Sequence, residues 1–354
     1  MTTSLPAQPD LGHLKRQAKS LLKAHQQGDA NACSILRQLH RFSHSSDADI
    51  LTSELRLNEA QFVLALDYGF SSWNALKHHV EGINSDVALN AHELLCRTNW
   101  ELIKGKSFST QQKAEITTAL LASVSKSSAA EVPTGGMYPL FFSRPYRSRR
   151  RLTTINGVMP KTQIFSANHY ELEILRLLAF WRSDGETISN MLMRTKERLA
   201  TTCFGKFCAK GECFETSIVA LRFLATAFPN EVEWVSMLVE NIRDEIDNKP
   251  GGKKRHSGTT FYYWLTLTDI YQPIATSEIK RYEPLLVHAL SRSYSYSNDQ
   301  DRLYNPIAKY IARNCLARLP EYKQIQGIEG YVGGDGRFHF DFGKPSSMSG
   351  CREA

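Results

Sequence analysis

Three of the seven cysteines, Cys203, Cys208 and Cys213, follow one another with four residues between neighbours. Thiolates bind zinc in a tetrahedral arrangement, and glycines at Gly205 and Gly211 would let a loop wrap three sulfurs around one ion. A continuous helix could not do this, because a five-residue spacing turns each side chain well away from the last. The cluster therefore predicts a metal site, with zinc as the cofactor.

Other roles for these cysteines stay open. The spacing is not that of a Cys-x-x-Cys knuckle, and no fourth ligand is adjacent in the sequence. The thiols could act in redox chemistry, or they could simply pack, with Cys213 in the core and the other two in a loop. The candidates for a fourth metal ligand are His169, His256 and Cys315.

An aromatic run at residues 261–264 offers a second kind of site. Tyr263 and Trp264 could line a cavity for a small apolar ligand or stabilise a cation. The competing interpretation is that the rings fill the core between helices, as aromatic residues do in ordinary domains.

A basic run at residues 144–151, next to Tyr138 and Tyr146, could grip the phosphates of a nucleic acid and stack its bases. The competing interpretation is a solvated basic loop. The predicted nucleic-acid-binding residues are Arg147, Arg149, Arg150 and Arg151.

Composition places the chain among ordinary globular proteins. Of its 354 residues, 42% are hydrophobic and 22% are charged, and the net charge of +7 permits contact with nucleic acid without requiring it. Arg176 interrupts the longest apolar run, so we expect no membrane insertion. Pro6, Asp10 and Lys15 stand where a secretory signal would be apolar, which predicts a cytoplasmic protein with reduced thiols.

Helical periodicity predicts an all-α fold, with a short hairpin or docked tail where residues 337–342 alternate. Among the predicted helices are two at 86–104 and 109–126. The predicted divisions are an N-terminal helical module (1–84), linking helices (85–130), a basic and aromatic linker (131–165), an α/α repeat domain (166–325) and a Gly-rich C-terminal tail (326–354).

An internal similarity supports the predicted repeat domain. Residues 174–179, ILRLLA, align with residues 220–225, ALRFLA, at an offset of 46 residues, and a further step reaches the helix predicted at 259–270. Three pairs of antiparallel helices would follow. Since one pair cannot bury its apolar face alone, the pairs must stack, giving an open solenoid or a closed α/α toroid.

Two segments resemble known families. Residues 11–82, with LKRQAKSLLKAHQQGD and LNEAQFVLALDYGFSSWNALKHHVE, resemble a helical module that precedes ankyrin repeats in bacterial proteins. That resemblance implies a compact helical domain and says little about activity. Residues 169–318, with CAKGECFETSIVALRFLA, are similar to the α/α toroid superfamily of squalene cyclases and protein prenyltransferases.

The second resemblance implies an aromatic-lined cavity for an isoprenoid or another long apolar ligand. The chain departs from both branches of that superfamily. Gly211 stands where the Asp-x-Cys pair of the zinc-dependent prenyltransferases would need an aspartate, and the Asp299-Gln300-Asp301 segment fits a solvated loop better than a buried acid.

The sequence thus predicts a helical repeat protein that binds a ligand or a protein partner, with a cysteine-bound metal as a further hypothesis. One alternative is a toroid-type enzyme acting on an apolar or isoprenoid-like substrate. A third possibility is a nucleic-acid-binding protein that uses the run at 144–151. Whether the chain is an enzyme is left open at this point.

Overall fold

The computed structural model describes residues 5–6, 9–124, 136–142, 152–183, 185–248, 258–292, 299–333 and 337–342, apart from the side chains of 81–89 and 299–303. These residues form two compact units. The first comprises the described residues up to 90 together with 123–124, and the second comprises 91–122 and the described residues from 136 onward.

The first unit is a small helical domain whose helix ends follow from local chemistry. The Asp10 carboxylate accepts a hydrogen bond from the His13 amide at 2.6 Å and starts the first helix. Ser46 and Asp49 form a capping box at the start of the third. Its helices are α1 (Leu11–Gln26), α2 (Asn31–Leu36), α3 (Asp47–Thr52), α4 (Leu57–Asp67) and the first part of α5 (Trp73–Lys104).

Two apolar clusters fill this unit. Leu36, Ile50 and Val63 belong to one of them, and Leu14 and Leu76 belong to the other. The helix predicted to begin at residue 86 does not begin there, because α5 runs without a break from Trp73 to Lys104. The boundary between the two units falls within this helix.

The second unit is also helical, with one small antiparallel hairpin near its end. Its further helices are α6 (Thr110–Leu121), α7 (Gln163–Phe180), α8 (Glu186–Thr201), α9 (Cys213–Ala227), α10 (Val232–Asn248), α11 (Gly258–Leu267), α12 (Gln272–Ser291) and α13 (Asp299–Leu316). Strands β1 (Gly330–Val332) and β2 (Phe338–Phe340) pair with Tyr331 opposite His339, which confirms the predicted hairpin. Asp299–Asp301, expected in a loop, form the first turn of α13.

Helices α7, α9 and α11 lie side by side in the centre of this unit, and α13 packs against α11. Helix α7 is buried from Phe165 to Leu178 and α9 is almost wholly buried, whereas α8 and α10 bury one face only. Each central helix is followed by a partner: α8, α10 and α12. The fold class is therefore all-α apart from the hairpin, and a toroid or solenoid arrangement of these pairs stays a prediction.

A buried charge network joins the three central helices. Glu173 of α7 accepts hydrogen bonds from Arg222 of α9 at 2.8 Å, from Arg176 at 3.0 Å and from the Tyr262 hydroxyl of α11. The Asp269 carboxylate, just after α11, accepts from Arg222 at 2.7 Å and pairs with Arg176 at 3.6 Å. Buried charges are tolerated when they are paired in this way.

No helix in the described part of the chain is both long enough and apolar enough to cross a membrane.

Candidate metal centre

The loop of residues 202–213 connects α8 to α9 and carries all three clustered cysteines. The Thr202 hydroxyl donates to the Leu199 carbonyl at 3.0 Å and accepts from the Gly205 amide at 3.2 Å, which closes the end of α8. A Cβ at Gly205 would lie 2.0 Å from the Leu199 carbonyl oxygen, so only glycine fits there. Gly211, with φ of +53°, turns the chain into α9.

The loop brings the three sulfurs together. The Cys203 and Cys213 sulfurs are 3.9 Å apart, and all three lie within 4.8 Å of one another. A disulfide would need a separation of about 2.05 Å. In a tetrahedral zinc site with bonds of about 2.3 Å, neighbouring sulfurs are about 3.8 Å apart. The three cysteines therefore lie close together and could hold a metal ion.

Side chains from outside the loop fix its position. The Cys208 amide donates to the Ser217 hydroxyl at 3.2 Å, and that hydroxyl donates to the Cys213 carbonyl at 2.9 Å. The Trp234 indole N–H of α10 donates to the Gly205 carbonyl at 2.7 Å. Glu212 accepts hydrogen bonds from the amides of Thr162, at 2.6 Å, and Lys161, so the loop also holds the start of α7.

The thiols differ in exposure. Cys203 is exposed to solvent, and Cys208 and Cys213 are partly buried. Burial and the neighbouring sulfurs of Cys203 and Cys208 raise the pKa of the Cys213 thiol to about 12. A cation bound to the three sulfurs would favour their thiolate forms and displace the protons.

Two of the three predicted fourth ligands lie elsewhere. The His169 ring accepts a hydrogen bond from the Ile155 amide at 3.5 Å and packs against Tyr262. The Cys315 thiol donates to the Trp264 carbonyl at 3.0 Å. Neither residue belongs to the thiol cluster, whose members in the described part of the chain are the three loop cysteines. His256 lies outside the described residues.

The other predicted site residues are not brought to this loop. Tyr263 and Trp264 are fully buried in α11, where both rings pack against Tyr282 of α12. A role for them in ligand binding stays a prediction. The predicted nucleic-acid-binding residues, Arg147, Arg149, Arg150 and Arg151, lie outside the described residues.

Sequence reasoning missed how the loop is held. Ser217 and Trp234 are not zinc ligands, so their residue types alone did not identify them as part of the site. One signal was available: Ser217 follows Cys213 by one helical turn, and a hydroxyl in that position can reach back to the carbonyl four residues earlier.

The chain matches no protein-family model, no curated protein and no solved structure. The resemblances of residues 11–82 and 169–318 therefore stay predictions.

Proposed function

We propose that this chain is a helical binding protein whose loop at residues 202–213 holds a zinc ion through the thiolates of Cys203, Cys208 and Cys213. The observation that carries the proposal is the 3.9 Å separation of the Cys203 and Cys213 sulfurs, with Cys208 completing a group within 4.8 Å. Soft thiolate ligands favour zinc over the hard cations magnesium and calcium.

The ion would organise the junction between α8, α9 and α10. The loop begins where α8 ends, its last cysteine starts α9, and Trp234 of α10 bonds to its backbone. Three protein ligands leave one tetrahedral position open, and the exposure of Cys203 puts the cluster within reach of solvent. Water or a small ligand would occupy that position.

Zinc analysis of the purified full-length protein tests this proposal. Protein expressed without added zinc, then reconstituted and freed of excess metal, should retain about one equivalent in competition with a chromophoric chelator. Cys208→Ser and Cys213→Ser should abolish this retention. Cys33→Ala, which removes a buried cysteine in the first unit, is the matched control and should retain zinc as the wild type does. Less than a tenth of an equivalent in the reconstituted wild type would overturn the proposal.

Thiol redox chemistry is a second candidate, because the Cys203 and Cys213 thiols are near enough to react together after a small movement. In the zinc-free protein, hydrogen peroxide would accept two electrons and two protons as the two sulfurs join. Peptide mapping should then find a Cys203–Cys213 crosslink. A crosslink absent at every peroxide concentration would remove this candidate.

A further inference from the structure

A cleft of about 330 Å³ lies in the second unit, at the turns that follow α9 and α11. The first turns of α10 and α12 contribute Val232, Val235 and Ile274, and Arg318 follows α13. This volume falls within the range of about 300–1,000 Å³ that is usual for small-molecule sites.

The walls of the cleft are largely apolar. Val235 and Ile270 are buried, whereas Val232 and Tyr271 are 47% and 64% exposed. Ala225, Pro229 and Ile274 extend the apolar lining. Such a surface suits a hydrocarbon body, and the exposed Tyr271 ring is large enough to cover part of it.

The charged groups at the cleft leave a positive surplus. Asp269, which lines it, is already paired with Arg222 at 2.7 Å and Arg176 at 3.6 Å. Those two arginines also share Glu173, and Arg318 is the third guanidinium group nearby. Three positive side chains therefore meet two carboxylates.

Arg318 has an unused donor. Its terminal nitrogens donate to the carbonyls of Leu267 at 3.1 Å, Thr268 at 2.5 Å and Ile270 at 2.8 Å, which fixes the guanidinium plane. Its Nε atom is buried and has no hydrogen-bond partner within the described residues. That buried atom is out of a ligand's reach, but the bonds above use only three of the four N–H groups on the terminal nitrogens.

The N-terminus of α12 adds to the positive potential. Its N-cap residue, Tyr271, accepts no hydrogen bond through its side chain, and the first turn contains no acidic residue. Gln272 and Ile274 of that turn line the cleft. The end of this 20-residue helix therefore presents a partial positive charge at the cleft, with no acidic side chain in its own first turn.

We propose that this cleft binds a small organic monoanion with an apolar body, such as a medium-chain carboxylate. The carboxylate would accept from the remaining terminal N–H group of Arg318 and lie near the start of α12. The hydrocarbon chain would pack on Val232, Val235 and Ile270, beneath Tyr271. This proposal does not rest on the zinc site.

Isothermal titration calorimetry of the full chain with sodium octanoate tests the proposal. We expect saturable one-to-one binding of octanoate and at least about tenfold weaker binding of octylammonium, since the surplus charge is positive. Val232→Glu places a like charge at the rim and should weaken octanoate binding about tenfold. Val332→Glu is the matched control, because Val332 is a valine of β1, 65% exposed, that does not line the cleft. It should leave the affinity unchanged.

Three results would overturn the proposal: no saturable octanoate binding, octylammonium binding as tight as octanoate, or equal affinities in the two glutamate variants. Tyr271→Ala, which removes an exposed ring and should not impair folding, is expected to weaken octanoate binding severalfold. Octanoate affinity should be the same with and without zinc, so failure of either proposal can be told from failure of the other.

Discussion

The buried charge network and the cysteine loop belong to the same unit, but their polar and reactive side chains have different partners. In the network, the carboxylates of Glu173 and Asp269 pair with the guanidinium groups of Arg176 and Arg222, and Glu173 also accepts from Tyr262. Each of these charges therefore has a partner of opposite sign inside the protein. In the loop, three thiols lie close together, and Ser217 and Trp234 hydrogen-bond to the loop backbone rather than to the sulfurs.

This difference distinguishes charged groups that stabilise the fold from thiols that are placed to bind a ligand. Glu173 shows what internal pairing does: burial alone would raise the pKa of its carboxyl, but the Arg222 and Arg176 guanidinium groups outweigh burial and hold the pKa at about 2. In the loop, burial and the neighbouring sulfurs of Cys203 and Cys208 raise the pKa of the Cys213 thiol. The charges of the network pair with one another inside the protein, whereas on our proposal the thiols of the loop bind a zinc ion.

Breaking the network should have the largest effect on stability. Arg222→Met leaves Glu173 and Asp269 with one fewer guanidinium partner in a buried site, so the free energy of unfolding should fall by about 3–5 kcal/mol. Arg281→Met is the control, since Arg281 pairs with Asp247 at the surface and should contribute about 0–1 kcal/mol. Urea unfolding at pH 7 measures both. Equal losses of unfolding free energy in the two variants would mean that the buried pairs stabilise the protein no more than a surface pair does.

Acidic pH should cause the next largest loss of stability. Burial is the main cause that lowers the pKa of His169 to about 4 from an ordinary value of about 6.5, against the raising effect of Glu173. Between these values the unfolded chain binds a proton that the folded chain does not, so stability falls as the pH drops from about 6.5 to 4. The loss attributable to His169 should reach about 3 kcal/mol at most.

The His169→Gln variant removes this titrating group and tests whether it makes stability fall as the pH drops. The free energy of unfolding should depend less steeply on pH between about 4 and 6.5 in the variant than in the wild type, whatever its stability at pH 7. Further acidification toward the pKa of Glu173, about 2, should destabilise both proteins. Parallel pH profiles for the two proteins between 4 and 6.5 would show that His169 titrates normally in the folded state.

The sequence revealed the loop better than the network, for a physical reason. Cys203, Cys208 and Cys213 are near neighbours in the chain, so their types and the glycines between them were enough to predict convergence. Glu173 and Asp269 are almost a hundred residues apart and meet only because α7, α9 and α11 pack together. The one usable signal was the 46-residue offset, which aligns Arg176 with Arg222 inside two apolar helices. The cleft depends on how two turns meet, and no local pattern encodes that.

Glycine substitutions in the loop should have intermediate effects that differ from each other. Gly205→Ala forces a Cβ to within 2.0 Å of the Leu199 carbonyl, so the backbone must move, at a cost of about 1–3 kcal/mol and with loss of zinc retention. Gly211→Ala meets no atom within 4 Å and costs about 1 kcal/mol for its positive φ alone. Thermal unfolding with and without zinc checks both. A milder effect at Gly205 than at Gly211 would mean that the end of α8 is looser than described.

The smallest stability effect, about 1 kcal/mol, should come from Ser217→Ala, which removes the hydroxyl that accepts from the Cys208 amide and donates to the Cys213 carbonyl. Its effect on zinc should be larger, about a tenfold loss of affinity, because the hydroxyl positions two of the ligands without binding the ion. Thr226→Val is the matched control: on the same helix it removes a hydroxyl that donates, at 3.0 Å, to the carbonyl four residues earlier and does not reach the loop. Chelator competition should find its zinc affinity unchanged. Equal zinc affinities in the two variants would mean that the three sulfurs bind the ion without help from the Ser217 hydroxyl. The geometry of the loop would then not depend on this hydrogen bond, in contrast to the network, which depends on its internal pairs.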